Sequence, residues 1–247
     1  MSDSLVIIPT YNEKENIENI IRTVFRLEQV FNILIIDDGS PDGTAGIVKS
    51  LQKEFPERLY LIERSGKLGL GTAYICGFKW ALEHGYEYIF EMDADFSHNP
   101  NDLSRLYASC ASGEADMTVG SRYVSGVNVV NWPMGRVLMS YYASKYVQLV
   151  TRLKIADTTA GFACYTRKVL ETLELDKIKF KGYAFQIEMK FTTHQCGFKI
   201  KEVPIIFVNR ELGTSKMSGS IFGEGLFGVM QMKIGSWFRK YPKKVKK

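Results

Sequence analysis

Short apolar runs that stop abruptly at polar clusters constrain this chain more than any other feature. LVII at 5–8 gives way to P-T-Y-N-E, ILII at 33–36 to D-D-G-S, and YIFEM at 88–92 to D-A-D. Runs of this length, bounded by turn-forming residues, read as buried strands. Between the first two, Ile17, Ile20, Ile21, Val24 and Phe25 fall at i, i+3, i+4, i+7 and i+8, one face of a helix. Ile47, Val48 and Leu51 mark a second helix before a third strand, RLYLIE at 58–63. A glycine-bearing helix over 70–84 leads to YEYIFEM at 86–92. Asn99, Pro100 and Asp102 then read as cap, first-turn proline and acidic third position of another helix, and ADMTVG at 115–120 as a fifth strand. This alternation predicts an α/β fold with a mostly parallel sheet and helices on both faces. Such a sheet gathers the carboxyl ends of its strands along one edge, where crevices bind ligands. Glu13, Asp38, Asp93 and Asp95 are therefore placed to share one site.

The second half is less regular. Residues 133–154 read as a long tyrosine-rich helix, GFACYT at 161–166 as a strand, 183–196 as a helix and FKIKEVPIIFV at 198–208 as a single strand. No internal repeat or low-complexity linker divides the chain. The expected organisation is a catalytic domain over 1–218 followed by a C-terminal segment, 219–247. In that segment Phe222, Leu226, Val229, Met230, Ile234 and Trp237 follow helical spacing before the tail RKYPKKVKK. An apolar face next to basic residues suits an interfacial helix on an anionic membrane surface; a helix packed on the domain with a loose tail accounts for the pattern equally well. Residues 133–154 are a second candidate for facing a membrane.

Charge and cysteine usage narrow the function. The formal net charge is +5, but six cations lie in the last nine residues, and the rest of the chain is close to neutral. A broad nucleic-acid surface is not expected. Cys76, Cys110, Cys164 and Cys196 form no C-x-x-C pair, and the three histidines form no ligand pair. This argues for buried thiols in a reducing compartment rather than a cysteine zinc site. No basic-then-apolar leader opens the sequence, and no apolar run nears the roughly 20 residues that span a bilayer. The expected location is cytoplasmic, peripheral at the cytoplasmic face of a membrane.

The polar clusters carry the chemistry. Asp93 and Asp95 in D-A-D can hold a hard divalent cation against a phosphate, or close a turn with a helix cap. In DDGSPDGT (37–44), Gly39 and Gly43 allow tight turns and Asp42 can cap a helix, while Asp37 or Asp38 can contact a nucleoside. SGKLGLGTA (65–73) is neither a P-loop nor a G-x-G-x-x-G fingerprint, which argues against a nicotinamide oxidoreductase. Arg122 in GSRY follows a strand and can face the site. Arg210 and Lys216 lie on a glycine-bearing stretch suited to folding over phosphates.

In series, PTYNE (9–13), IIDDGSPDGT (35–44), GKLGLGTAY (66–74), MDADFSHNP (92–100), GSRY (120–123), KGYAFQIEM (181–189) and R-x-x-G-x-S-K (210–216) resemble the dolichyl-phosphate mannosyltransferases, also called polyprenol monophosphomannose synthases, within glycosyltransferase family 2. The resemblance implies a GT-A fold, the Rossmann-like build of nucleotide-diphospho-sugar transferases. It implies a GDP-mannose donor, Mg2+ or Mn2+, and a polyprenyl phosphate acceptor, and it leaves room for a membrane-protein partner. By motif position Pro9, Tyr11, Glu13, Ile36 and Asp38 would hold the guanosine part of the donor. Asp93, Ala94 and Asp95 would meet the metal and sugar diphosphate, with Ser97 where some relatives offer a further metal ligand. Arg122, Arg210 and Lys216 would engage the phosphates and mannose. Ala163 stands where many relatives carry a basic residue, which weakens a role for that position in acceptor binding. Asp157 and Glu188 are the candidates for a general base. A transferase using UDP-glucose, and a non-catalytic nucleotide-sugar-binding membrane adaptor, are the alternatives.

Overall fold

A computed structural model of the chain describes residues 2–182, 184–210 and 221–244, the side chains of 221–226 excepted. The first half follows the predicted alternation: β1 (Ser4–Thr10), α1 (Ile17–Phe25), β2 (Asn32–Asp37), α2 (Thr44–Glu54), β3 (Leu59–Glu63), α3 (Leu70–Glu83), β4 (Tyr88–Glu91), α4 (Asp102–Ala111) and β5 (Met117–Ser121). The second half adds β6 (Val129–Val130), α5 (Met134–Thr151), β7 (Ala163–Thr166), α6 (Arg167–Thr172), α7 (Ala184–Gln195), β8 (Ile200–Pro204), β9 (Phe207–Val208) and α8 (Ile221–Phe238).

Seven strands form one sheet in the order β3-β2-β1-β4-β7-β5-β8. Its pairings are parallel except that β7 runs against both β4 and β5. The central strands are apolar throughout because both faces are covered. On one side Leu5, Ile7, Leu34 and Ile36 pack with α3 and α7; on the other Val6, Ile8, Ile33 and Ile35 pack with α1, α2 and α4. Of the helix face expected of Ile17, Ile20, Ile21, Val24 and Phe25, the first four are fully buried and Phe25 is partly so. Two glycines of α3 have a packing reason. A Cβ on Gly71 would lie 2.7 Å from the Phe185 ring, and one on Gly77 would lie 2.8 Å from Ile7. At Gly71 the helix approaches α7, and at Gly77 it approaches β1, too closely for any side chain.

One reading needs correction. FKIKEVPIIFV is not one strand. β8 ends at Pro204, although the Ile205 N–H still reaches the Ser121 carbonyl of β5; two residues further on, β9 pairs with β6 in a separate two-stranded sheet. The cap expected at Asn99 is present, its side-chain oxygen accepting the Asn101 N–H in the turn that leads into α4 at Asp102. The apolar stripe of α8 also divides. Val229 and Met232 turn into the protein, whereas Met230, Ile234 and Trp237 face out; Phe222 and Leu226 have side chains outside the described set. Gly228 lets α8 sit directly on Phe180, whose ring would be 2.8 Å from an added Cβ.

Beyond α8, residues 239–244 lie back across the body. Lys244 Nζ meets both carboxylate oxygens of Asp116 at 2.7 Å, and its N–H donates to the Cys196 carbonyl. Lys243 Nζ donates to the Gln195 carbonyl, at the end of α7. Tyr241 packs between core clusters, edge-on to Phe191.

Candidate active site

Register brings the polar clusters together. Pro9 pairs with Ile36 and Thr10 with Asp37, and Ile7 lies opposite Glu91. The residues after β1, β2 and β4 therefore emerge at one edge of the sheet.

The loop after β2 is built by its own acids. Asp37 is buried and accepts from Thr10 Oγ1 at 2.8 Å and from the Ser40 N–H and hydroxyl. It holds the turn shut. Asp42 accepts the Thr44 N–H at the start of α2 and the Lys14 N–H, which ties the two loops together. Asp38 is also nearly buried, but it faces Arg64, whose Nε lies 2.6 Å from its Oδ1. Arg64, from the end of β3, went unnoticed in the sequence because nothing local marks a pair spanning β2 and β3. Ile36 is fully buried in the core, so only its main chain can reach a ligand. Pro9 and Tyr11 keep partial exposure at the same edge, and the Lys67 ammonium lies 5.5 Å from the Tyr11 ring centroid.

The acids after β1 and β4 converge. Glu13 is held by Asn16 Nδ2 at 3.1 Å, at the entry to α1. Asp95 accepts the Ser97 N–H at 3.0 Å and meets Arg210 at 2.6 Å. The same guanidinium reaches Glu13 at 3.9 Å. β9 delivers Arg210 here because the Val208 N–H bonds the Ser97 carbonyl. The Asp93 side chain keeps 39% of its surface open. Its carboxyl is pushed up to about 7 by desolvation and by the nearby charges of Asp95 and Glu13, against the opposing pull of Arg210 and Arg122. Ala94 and Ser97 are buried beside these acids.

His98 was not among the expected site residues. It is buried, stacked on Phe162, and accepts the Asp93 N–H on Nδ1 at 3.3 Å. Burial pushes it down to about 4, so a neutral ring buttresses the D-A-D turn.

Arg122 leaves β5 into a tight seat. Its Nε and one terminal nitrogen each lie 2.7 Å from Asp157, and that nitrogen also bonds Thr159 Oγ1 at 2.8 Å. Burial opposes the Asp157 charge, but the Arg122 guanidinium outweighs it and holds the carboxyl below its usual range. A carboxylate so engaged orients Arg122 and is poorly placed as a base. Glu188 instead accepts the N–H groups of Lys179 and Phe180, which ties the loop before α7 to that helix. Ala163 is fully buried at the start of β7. Lys216 lies outside the described residues.

Among the described residues no three His, Cys, Asp or Glu side chains form a metal cage. Asp93 and Asp95 nonetheless fit a hard divalent ion: they are oxygen donors in a site with more negative charge than its arginines relieve. Such ions are commonly held by one or two carboxylates, with water and substrate phosphates completing the shell.

A mostly parallel sheet with D-x-D after its fourth strand, and arginines arrayed around it, defines a GT-A-type nucleotide-sugar transferase. Residues 5–174 match Glycosyl transferase family 2, and the chain belongs to that family. It is 46% identical over 231 residues to the polyprenol monophosphomannose synthase of Mycolicibacterium smegmatis, covering 94% of this chain and 87% of that one. It is 45% identical over 228 residues to the undecaprenyl-phosphate mannosyltransferase of Micrococcus luteus, covering 91% of each. Solved structures share the fold at low identity. A mannosyltransferase from Pyrobaculum calidifontis in complex with GDP-Man and Mn2+ superposes with TM-score 0.61 at 19% identity, over 97% of this chain and 66% of that longer one. Glucosyl-3-phosphoglycerate synthase from Mycobacterium tuberculosis in complex with Mn2+, UDP and glucosyl-3-phosphoglycerate gives 0.67 at 16%, over 94% and 79%.

Proposed function

We propose that this glycosyltransferase moves mannose from GDP-mannose to a polyprenyl phosphate, with inversion, to give a polyprenyl phosphate β-mannose. The observation that carries the reading is the convergence of Glu13, Asp93, Asp95, Arg122 and Arg210 at one sheet edge, together with the names of the two relatives.

The acceptor phosphate has a second pKa of about 6, so at neutral pH it is largely dianionic and needs no strong base. One of its oxygens forms the bond to the anomeric carbon as the bond to the GDP β-phosphate oxygen breaks, and the electron pair leaves with GDP. Pro9, Tyr11, Glu13, Asp38 and the main chain at Ile36 line the edge that would receive the guanosine part. Arg210 and Lys216 bring positive charge to the departing diphosphate, and Arg122 meets phosphate or sugar from β5. Asp93 and Asp95, with Ser97 and the Ala94 main chain beside them, would hold Mg2+ or Mn2+; when bound, the ion supplies Lewis-acid charge to the diphosphate.

The acceptor is a lipid, and α5 and α8 offer the route to it. Leu149, Phe227, Trp237 and Phe238 each expose at least 70% of their surface. Leu149, Met230, Ile234 and Trp237 line a groove of about 480 Å3 with Arg152 and Lys233 in its walls. No described helix is long and apolar enough to cross a membrane. The exposed apolar residues flanked by cations favour peripheral contact.

The deciding assay is incubation with labelled GDP-mannose, Mg2+ or Mn2+, and a panel of polyprenyl phosphates, with thermal-shift titration of GDP against UDP in parallel. Label should enter a mild-acid-labile lipid, and GDP should stabilise the protein. Stabilisation by UDP alone would remove the mannose assignment.

A further inference from the structure

Behind the acidic edge stands a lysine with no solvent contact. Lys190 lies on α7 and is 0% exposed. Its Nζ donates to the Ala160 carbonyl at 2.6 Å and to the Gln186 carbonyl at 3.1 Å, one turn back in its own helix. Lysine is almost never fully buried unless paired, and taking an ammonium from water costs several kcal/mol even after relaxation. Methionine would fill the same volume without that penalty. Burial pushes the ammonium down to about 8, and the carboxylates of Glu91 and Asp157 support its charge.

Ala160 shows what the amine holds. It closes the short loop carrying Asp157 and Thr159, the two residues that seat the Arg122 guanidinium. The other end of that loop is gripped from β8: the Glu202 carboxylate accepts the Ala156 N–H at 2.7 Å and the Asp157 N–H at 2.9 Å. A carboxylate thus takes the loop's amides and an ammonium takes its last carbonyl. Between the two anchors lies the seat of an arginine.

We propose that Lys190 is a positioning residue for Arg122: by holding Ala160 it fixes the 157–160 loop, and so sets where the guanidinium stands at the edge of the site. The inference rests on the reading that Arg122 meets phosphate or sugar during transfer. Positioning at this level matters, because a displacement of about 1 Å in a catalytic group can lower turnover on the order of 100-fold.

The test compares Lys190→Met, Arg122→Lys and the double variant in mannose transfer from GDP-mannose to polyprenyl phosphate. Circular dichroism and GDP thermal shift report the fold and the donor site. Arg122→Lys keeps a charge opposite Asp157 but loses the two-nitrogen grip. The expected result is a kcat for Lys190→Met lowered about tenfold or more, with KM for GDP-mannose within about twofold of wild type. The double variant should be no worse than Arg122→Lys alone, since both changes disturb one group. Unchanged kcat in a folded Lys190→Met, or losses that multiply, would overturn the proposal. If Lys190→Met does not fold, Glu202→Ala loosens the loop from its partly exposed end and is judged by the same two criteria. Full activity in Arg122→Lys would instead remove the role of Arg122 itself. That outcome differs from a failure of Lys190, in which Arg122→Lys is impaired and Lys190→Met is not.

Discussion

Asp93 is held where its charge is unwelcome. Desolvation and the neighbouring charges of Asp95 and Glu13 push its carboxyl up to about 7, although part of the side chain stays open. A site that gathers like charges in this way stores instability for use on a ligand. Asp93→Asn keeps the shape and removes the repelled charge. We expect it to raise the apo melting temperature by about 2 °C and to lower mannose transfer about 100-fold or more. The stabilisation that Mn2+ gives to wild type should vanish with it. A variant that melts lower than wild type, or turns over normally, would defeat this account. At this scale the sequence was informative wherever chemistry and strand ends coincide. Glu13, Asp93 and Asp95 stand just past apolar runs, so a parallel sheet had to bring them to one edge. Arg64, His98 and Lys190 were not legible, because each acquires its meaning from a partner on another element. The same holds for Asp157, read as a candidate base until its bond to Arg122 was visible.

Among the elements, the C-terminal tail departs most from its sequence pattern. Six cations beside an apolar helix read equally as a membrane-facing segment or as a loose tail behind a packed helix; in the structure Lys243 and Lys244 bond the body and Arg239 pairs with Glu174 at 3.7 Å. What fixes this strap is apolar: the Tyr241 ring sits against both the α3 side of the sheet and the cluster joining α5, α7 and α8. The Lys244–Asp116 pair is partly solvated and is worth at most about 1 kcal/mol. Tyr241→Ala should therefore destabilise the protein by about 2–3 kcal/mol, clearly more than Lys244→Ala, as read by urea denaturation followed by circular dichroism. Equal effects, or none for Tyr241→Ala, would show that the strap does not carry α8. The broken strand at 198–208 teaches the same point. Its apolar pattern is continuous, and only the two separate partner strands reveal that it serves two sheets.

For the molecule as a whole, the reaction reading requires a water-exposed donor site and a lipid acceptor to meet. With much of the tail strapped down, the cations near the apolar surface are chiefly Arg152, Lys154, Lys233 and Lys240, of which Lys233 is half-buried and the others exposed. Each basic residue close to an anionic bilayer contributes about 1 kcal/mol, screened over the Debye length. Insertion of a Trp-sized side chain adds about 1.5–3 kcal/mol. Binding to vesicles should therefore need both terms. In co-sedimentation, vesicles with about a third anionic lipid should bind at least about tenfold tighter than neutral ones, and the difference should shrink in 0.5 M salt. Trp237→Glu should weaken that binding about tenfold or more, because it removes apolar area and adds a repelled charge. It should leave transfer to a short, water-soluble polyprenyl phosphate unchanged, since Trp237 lies on the outer face of α8 and not among the residues at the sheet edge. If binding is indifferent to both lipid charge and Trp237, the groove between α5 and α8 is not the membrane face, and the acceptor must arrive by another surface.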